Sequence, residues 1–119
     1  MRVVAHSLGS VIALSALEGR ESGPEVDLTT MGSPLMLLAQ RLPRAYGRAR
    51  ADGGHRNLPT VTRWRNFFFD QDLIGRALDP WLWRAGSDSR TFRSAITLGD
   101  GTHTDYFPDR GFAAEFLSD

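Results

Sequence analysis

The apolar residues of this chain fall into short blocks whose spacing changes from strand-like to helical. The run VVA at 3–5 is rich in β-branched residues and predicts a strand, whereas the apolar residues after Ser7 recur near helical spacing as far as Leu17. Because they cover most of the circumference, we expect this helix to be buried. It should end before GRESGPE, where Gly23 and Pro24 break the helical pattern.

The rest of the chain predicts three more strands and two more helices. The segment RTFRSAITL alternates cleanly between apolar and polar residues, which is typical of a half-covered edge strand. Residues 43–60 have no apolar period and are expected to form a mobile surface excursion, and residues 70–83 a loop with a short helical turn at 73–77. The predicted elements are strands at 26–31, 60–69 and 90–98 and helices at 35–42 and 109–119.

Strands that alternate with helices indicate an α/β fold. The crossovers are long enough to hold helices, so the predicted strands should form a parallel β-sheet of about four strands with flanking helices and right-handed connections. At 119 residues, without internal repeats, the whole chain 1–119 is expected to form a single domain.

Composition excludes several classes of function. Basic and acidic residues balance at 14 each, so no charge excess indicates nucleic acid or a charged membrane as a partner. There is no cysteine, and the three histidines form no H-x-x-x-H pair, so we expect neither a metal site nor a cofactor. All the basic residues are arginine, which is typical of a GC-rich bacterial genome.

No segment has the length of a membrane span. The longest apolar stretch, 8–17, is interrupted by two serines and is shorter than the roughly 20 residues that cross a bilayer. AHSLGS likewise interrupts what would be the apolar part of a signal peptide. The sequence therefore predicts a cytoplasmic protein without a transmembrane helix.

Candidate chemistry begins at Ser7, between the first strand and the first helix. Ala5 and Gly9 are small residues two positions to either side, as in the nucleophile elbow G-x-S-x-G, with Ala5 in place of the first glycine. A sharp reversal of the chain should require small side chains at both positions. The alternative is that Ser7 is an ordinary N-cap of the helix, a position that serine favours.

A serine nucleophile needs a base to remove its proton and an acid to orient that base. In elbow-type hydrolases these follow in the order Ser, Asp or Glu, His, after later strands. Asp70 and Asp72 follow the third predicted strand, and His103 follows the fourth. His6 is expected to be a structural residue of the turn, and His55 a solvated loop residue.

Four segments in this order resemble bacterial α/β-hydrolase fold proteins of the lipase and esterase type. They are VVAHSLGSVIALSAL, TMGSPL, RWRNFFFDQDLI and THTDYF. The resemblance implies a serine hydrolase that cleaves a small-molecule acyl ester, with Ser7 as nucleophile, His103 as base and Asp72 as acid. Asp72 matches the family's acid context better than Asp70, and His103 belongs to an H-x-x-Y pattern. The backbone N–H of Leu8 would be one oxyanion donor.

The resemblance also implies that the first half of the fold, with the second oxyanion donor, is missing, so that the fold is truncated. The strand at 3–5 would then form an exposed sheet edge, at which chains could self-associate. We therefore expect an isolated chain of low stability and weak or no activity, because loss of one oxyanion donor costs about a hundredfold or more in turnover. The alternatives are a non-catalytic interaction module and a peptidase or thioesterase with the same triad.

Overall fold

The computed structural model describes residues 1–47, 56–78, 83–85 and 92–117. Within these ranges the predicted strands and helices occur in the predicted order, together with two short additional strands and one turn of π-helix, Pro43–Gly47. The elements are β1 (Arg2–His6), α1 (Leu8–Leu17), β2 (Val26–Met31), α2 (Leu35–Arg41), β3 (Arg56–Leu58), β4 (Val61–Phe68), β5 (Trp83–Ala85), β6 (Phe92–Thr97) and α3 (Arg110–Leu117).

A four-stranded parallel sheet is the centre of the fold. Its strand order is β1-β2-β4-β6, and each neighbouring pair is parallel. The predicted α/β class, with a parallel sheet and flanking helices, is thus confirmed. Strands β1 and β6 form the two edges, and the burial of β6 alternates from residue to residue, as its sequence pattern predicts.

Helices cover both faces of this sheet. Leu28 and Trp64 pack on one face with the buried residues of α1 and α2, in a cluster that Phe92 joins by stacking on Trp64. Met31 and Phe67 lie on the same two strands, an odd number of positions from Leu28 and Trp64, and they pack with Phe112 of α3. Because successive side chains of a strand point to opposite faces, α3 lies on the face opposite to α1 and α2.

Helix α1 is less buried than its composition predicts. Val11, Leu14 and Leu17 pack against the sheet, but Leu8 and Ile12 are 62% and 66% exposed. The helix lies beside the edge strand, so the described residues cover one side of it. An apolar pattern around the whole circumference therefore did not imply burial of the whole circumference.

Two predicted loop segments contain structure that their sequences do not reveal. Strand β3 lies within the predicted excursion at 43–60 and pairs in parallel with β5, which holds Trp83. Leu58 and Trp83 are buried in the core. The helical turn predicted at 73–77 is absent, and residues 48–55 of the predicted excursion lie outside the described residues. Three-residue strands are too short to show an alternating period, which explains why they were missed.

None of the described helices is long and apolar enough to cross a membrane.

Candidate functional site

The chain reverses sharply at Ser7, which is the single residue between β1 and α1. Its backbone has φ 54° and ψ −126°, and among the described residues other than glycine it alone has a positive φ. Its amide donates a 3.0 Å hydrogen bond to the carbonyl of Met31, so the pairing with β2 continues up to the turn. A conformation of this kind costs about 1–3 kcal/mol and persists where the surrounding structure enforces it.

Ser7 does not cap α1 with its side chain. Its backbone lies outside the β region that N-cap residues adopt, and its Oγ makes no hydrogen bond to a backbone N–H of the first turn. Instead, Oγ lies 2.7 Å from Nε2 of His103. The alternative that Ser7 is an ordinary helix cap is therefore wrong for this structure.

His103 connects Ser7 to a carboxylate. Its Nδ1 lies 3.0 Å from Oδ2 and 3.2 Å from Oδ1 of Asp72. If Nδ1–H donates to the carboxylate, the neutral ring leaves Nε2 as an acceptor for the Ser7 hydroxyl. The structure thus brings together Ser7, His103 and Asp72, which follow β1, β6 and β4 at the carboxyl edge of the parallel sheet.

The Asp72 carboxylate is enclosed and fully hydrogen-bonded. Its side chain has no exposed surface, whereas that of His103 is 24% exposed, so the site opens to solvent on the side of Ser7 and His103. Burial alone would raise the pKa of Asp72. Hydrogen bonds from the Tyr106 hydroxyl, the Gly75 amide, His103 and the Ile74 amide outweigh that effect and hold the pKa below its ordinary value.

Of the two candidate acids, the structure places Asp72 at the site. Asp70 is exposed, and its described hydrogen bond is made by its backbone amide to the carbonyl of Gly99. The sequence reasoning preferred Asp72 by resemblance alone. The geometry supplies a physical reason, because the chain turns after Phe69 and directs the second aspartate inward.

His6 has the structural role that its position predicts. Its Nε2 lies 2.9 Å from the carbonyl oxygen of His103, and the two imidazole rings are 5.0 Å apart. Nε2 must donate this bond, because a carbonyl can only accept. His6 thus restrains the backbone of the loop that carries His103. His55 lies outside the described residues.

Two buried serines lie beneath the turn. Ser10 Oγ is 2.6 Å from the carbonyl oxygen of Ser7 and 2.7 Å from Ser33 Oγ, and both side chains are fully buried. Ser33 Oγ also accepts a 3.3 Å hydrogen bond from the amide of Leu35, an interaction typical of a serine in a turn. Sequence reasoning missed the contact with Ser10, since no local pattern links two serines 23 positions apart.

Two glycines allow the site to pack closely. A Cβ on Gly75 would lie 2.5 Å from Asp72 Oδ2 and 2.5 Å from the Cα of Gly32. Gly32 has φ +57°, and a Cβ on it would lie 3.1 Å from Nδ1 of His103. Gly9 differs, because a Cβ there would meet no described atom within 4 Å. The steric requirement predicted for Gly9 is therefore absent in this structure, whereas Gly75 was not singled out by its sequence context.

The first amides of α1 follow Ser7 directly in the chain. Leu8 is the first residue of the helix, and the first four N–H groups of an α-helix have no partner within the helix. The helix dipole places partial positive charge at the same point. The amide that the resemblance nominates as an oxyanion donor, that of Leu8, belongs to this end of the helix.

Comparison of the chain with protein-family models, curated proteins and solved structures found no match. Among the described residues, no group of three or more His, Asp or Glu side chains could hold a metal ion. The functional argument therefore depends on the geometry of the site.

Proposed function

We propose that this protein is a serine hydrolase of the α/β-hydrolase fold, acting on an ester-type acyl substrate through Ser7, His103 and Asp72. The observation that carries the proposal is the continuous series of contacts from Ser7 Oγ to His103 Nε2 and from His103 Nδ1 to Asp72. A buried carboxylate, an imidazole and a partly buried serine hydroxyl in this order make an activated nucleophile. The strained backbone of Ser7 supports the same conclusion.

In the acylation step, Ser7 Oγ attacks the carbonyl carbon of the substrate and His103 Nε2 takes the hydroxyl proton. The Asp72 carboxylate accepts the Nδ1–H bond and stabilises the imidazolium that forms. The carbonyl oxygen becomes an oxyanion, to which the Leu8 amide donates. When the tetrahedral intermediate collapses, His103 returns the proton to the leaving alcohol, and the acyl group remains on Ser7.

Deacylation repeats these steps with water as the nucleophile. His103 removes a proton from water while the resulting hydroxide attacks the acyl carbon, and it then protonates Ser7 Oγ as the ester bond to the enzyme breaks. The products are a carboxylic acid and the free enzyme. The His103 side chain is 24% exposed, so water can approach the imidazole.

Exposed apolar side chains flank the site and favour an apolar acyl group. Leu8 follows Ser7, Leu73 follows Asp72 and Phe107 lies four positions after His103, and all three are more than 60% exposed. The Phe107 ring lies 5.8 Å from that of His6. An apolar acyl chain would cover such side chains, and this observation supports an apolar acyl group on the ester that we propose.

The proposal is tested by treating the folded chain with a fluorophosphonate probe, which reacts with activated serines. We expect labelling that disappears in Ser7→Ala and remains in Ser15→Ala, since Ser15 is an exposed serine of the same helix. Circular dichroism checks that each variant is folded. If the folded native chain is not labelled, or if Ser15→Ala alone abolishes labelling, the proposal is wrong.

A second candidate function is an interaction module without catalysis. Strand β1 is an edge of the sheet, Val4 on it is 44% exposed, and Leu8 and Ile12 are exposed beside it. Such an edge can pair with a strand of a second copy. This candidate predicts a folded chain that the probe does not label. Light scattering should show that the chain forms a dimer as its concentration rises, and Val4→Lys should dissociate that dimer.

A further inference from the structure

Tyr106 is one of the most enclosed side chains of the structure, and its hydroxyl lies against the candidate acid. It is fully buried, and its oxygen lies 2.6 Å from Asp72 Oδ2. The same oxygen accepts a hydrogen bond from the amide of Phe69, at 3.2 Å. The hydroxyl therefore links the residue that follows β4 to the Asp72 carboxylate.

The direction of these hydrogen bonds follows from the groups involved. The amide of Phe69 can only donate, so the phenol oxygen accepts that bond, and a carboxylate can only accept. The single hydroxyl proton is then donated to Asp72. Burial, together with the adjacent carboxylate, raises the pKa of Tyr106 far above its ordinary value, so the phenol remains a donor over the whole working range of pH.

The carboxylate is thereby restrained from two sides. Oδ2 accepts from Tyr106 and from His103, and Oδ1 accepts from the Ile74 amide at 2.9 Å. The ring of Tyr106 cannot shift easily, because it packs 4.6 Å from the Phe69 ring and 5.6 Å from the His6 ring. Rotation of the carboxylate away from His103 would break the bond to the phenol.

We propose that Tyr106 is a positioning residue, which holds the Asp72 carboxylate in the orientation that aligns His103 with Ser7. This inference rests on the proposed function, because the aligned groups are those of the hydrolase mechanism. Tyr106 itself touches neither Ser7 nor, in that mechanism, the substrate. The pattern H-x-x-Y then has a physical meaning: the histidine supplies the base, and the tyrosine three positions later fixes the acid.

A double-mutant cycle tests whether Tyr106 acts through Asp72. Tyr106→Phe keeps the ring and removes the hydroxyl, and we expect it to lower the maximal rate of fluorophosphonate labelling about tenfold. In a chain that already carries Asp72→Ala, the same change should alter the rate less than about twofold, because no carboxylate remains to be positioned. Equal effects in both backgrounds would overturn the proposal. Tyr46→Phe removes the chain's other tyrosine hydroxyl and should leave the rate unchanged.

A measurement on the native side chain covers the case in which Tyr106→Phe does not fold. A buried phenol proton donated to a carboxylate should exchange slowly with water and appear as a separate proton resonance by NMR. Tyr46→Phe leaves Tyr106 as the sole tyrosine and so assigns that resonance. A Tyr106 hydroxyl in rapid exchange would overturn the inference. A native chain that is folded but unlabelled would instead overturn the proposed hydrolase, whatever the resonance shows.

Discussion

The imidazole of His6 donates a 2.9 Å hydrogen bond to the carbonyl oxygen of His103. The two histidines are 97 positions apart in the sequence and have different roles in the same site. His103 makes the side-chain contacts to Ser7 and Asp72, whereas His6 holds the backbone from which His103 projects. The base of the site is thus restrained through its side chain by Asp72 and through its main chain by the last residue of β1.

We expect His6→Phe to reduce the rate of fluorophosphonate labelling about three- to tenfold, the effect of losing one hydrogen bond of ordinary strength. The phenyl ring keeps the packing of His6 but cannot donate to the His103 carbonyl. His6→Gln retains an N–H donor and should recover part of the loss. The labelling rates of the three chains at equal probe concentration measure this. Equal rates in the Phe and Gln variants would show that packing matters and the hydrogen bond does not.

The close packing around Asp72 predicts that Gly75→Ala damages the site severely. The new Cβ would lie 2.5 Å from the Gly32 Cα and 2.5 Å from Asp72 Oδ2, so the loop that carries Asp72 must move outward. A displacement of about 1 Å in a catalytic group costs about a hundredfold in rate. Labelling should fall by about that factor, with the chain still folded by circular dichroism.

Gly9→Ala is the matched control for this prediction. A Cβ at Gly9 meets no described atom within 4 Å, and alanine is favoured over glycine inside a helix by about 0.5–1 kcal/mol. The control should therefore be labelled as fast as the native chain and unfold at a slightly higher temperature. Similar losses of labelling rate in the Gly75→Ala and Gly9→Ala variants would contradict the prediction that the Asp72 loop is the more sensitive of the two positions.

The buried pair Ser10 and Ser33 predicts coupled effects on stability. The Ser7 carbonyl accepts from Ser10, so Ser33 must donate to Ser10. Ser10→Ala then leaves the Ser33 hydroxyl buried without its acceptor, at a cost of about 1–3 kcal/mol. Once Ser33 is alanine, the Ser10 change should cost less, because no hydroxyl is stranded. Urea unfolding of the two single variants and the double variant measures the coupling, and additive losses would contradict it.

Local patterns were enough to predict the four sheet strands and three helices, since each has a clear period or a clear β-branched and aromatic content. Strand β2 was predicted at its observed bounds, Val26–Met31. Strands β3 and β5 were missed because their pairing joins residues 27 positions apart and depends on the tertiary core. The exposure of Leu8 and Ile12 was missed for a related reason, since apolar spacing does not show which neighbours cover a helix.

The chain order serine, aspartate, histidine also indicated the three candidate residues of the site, and the folded structure brings these residues together. It did not indicate what surrounds them. The contacts of His6, Ser33, Gly75 and Tyr106 all join residues that are distant in sequence or lie in loops, and no periodic pattern records such contacts. Whether these residues catalyse a reaction is decided by the labelling experiments.

Asp27 explains the two arginines of strand β4, Arg63 and Arg65. It lies between Arg2 of β1 and Arg63 of β4 in the sheet register, and Arg63 donates to its Oδ2. Arg65 Nη2 lies 3.8 Å from Oδ1, and the Arg65 guanidinium also lies over the Phe116 ring of α3. A carboxylate at the centre of three guanidinium groups allows these charges to lie on a largely covered sheet.

This cluster predicts how stability depends on pH. The hydrogen bond from Arg63, aided by the charges of Arg65 and Arg2 and opposed by burial, lowers the pKa of Asp27 below its ordinary value. The unfolded chain therefore binds a proton at Asp27 more readily than the folded chain does. The contribution of Asp27 to the free energy of unfolding is present above its ordinary pKa, about 4, and is lost as the pH falls through the lowered pKa of the folded chain.

Asp27→Asn should therefore cost about 1–2 kcal/mol of unfolding free energy at pH 7, and the difference from the native chain should narrow as the pH falls below about 4. Urea unfolding of both chains between pH 3 and pH 7 measures this difference. Asp72, whose pKa is also lowered, titrates in both chains and cancels in the comparison. A difference that stays constant down to pH 3 would mean that Asp27 contributes through packing and neutral hydrogen bonds, and not through its charge among the arginines.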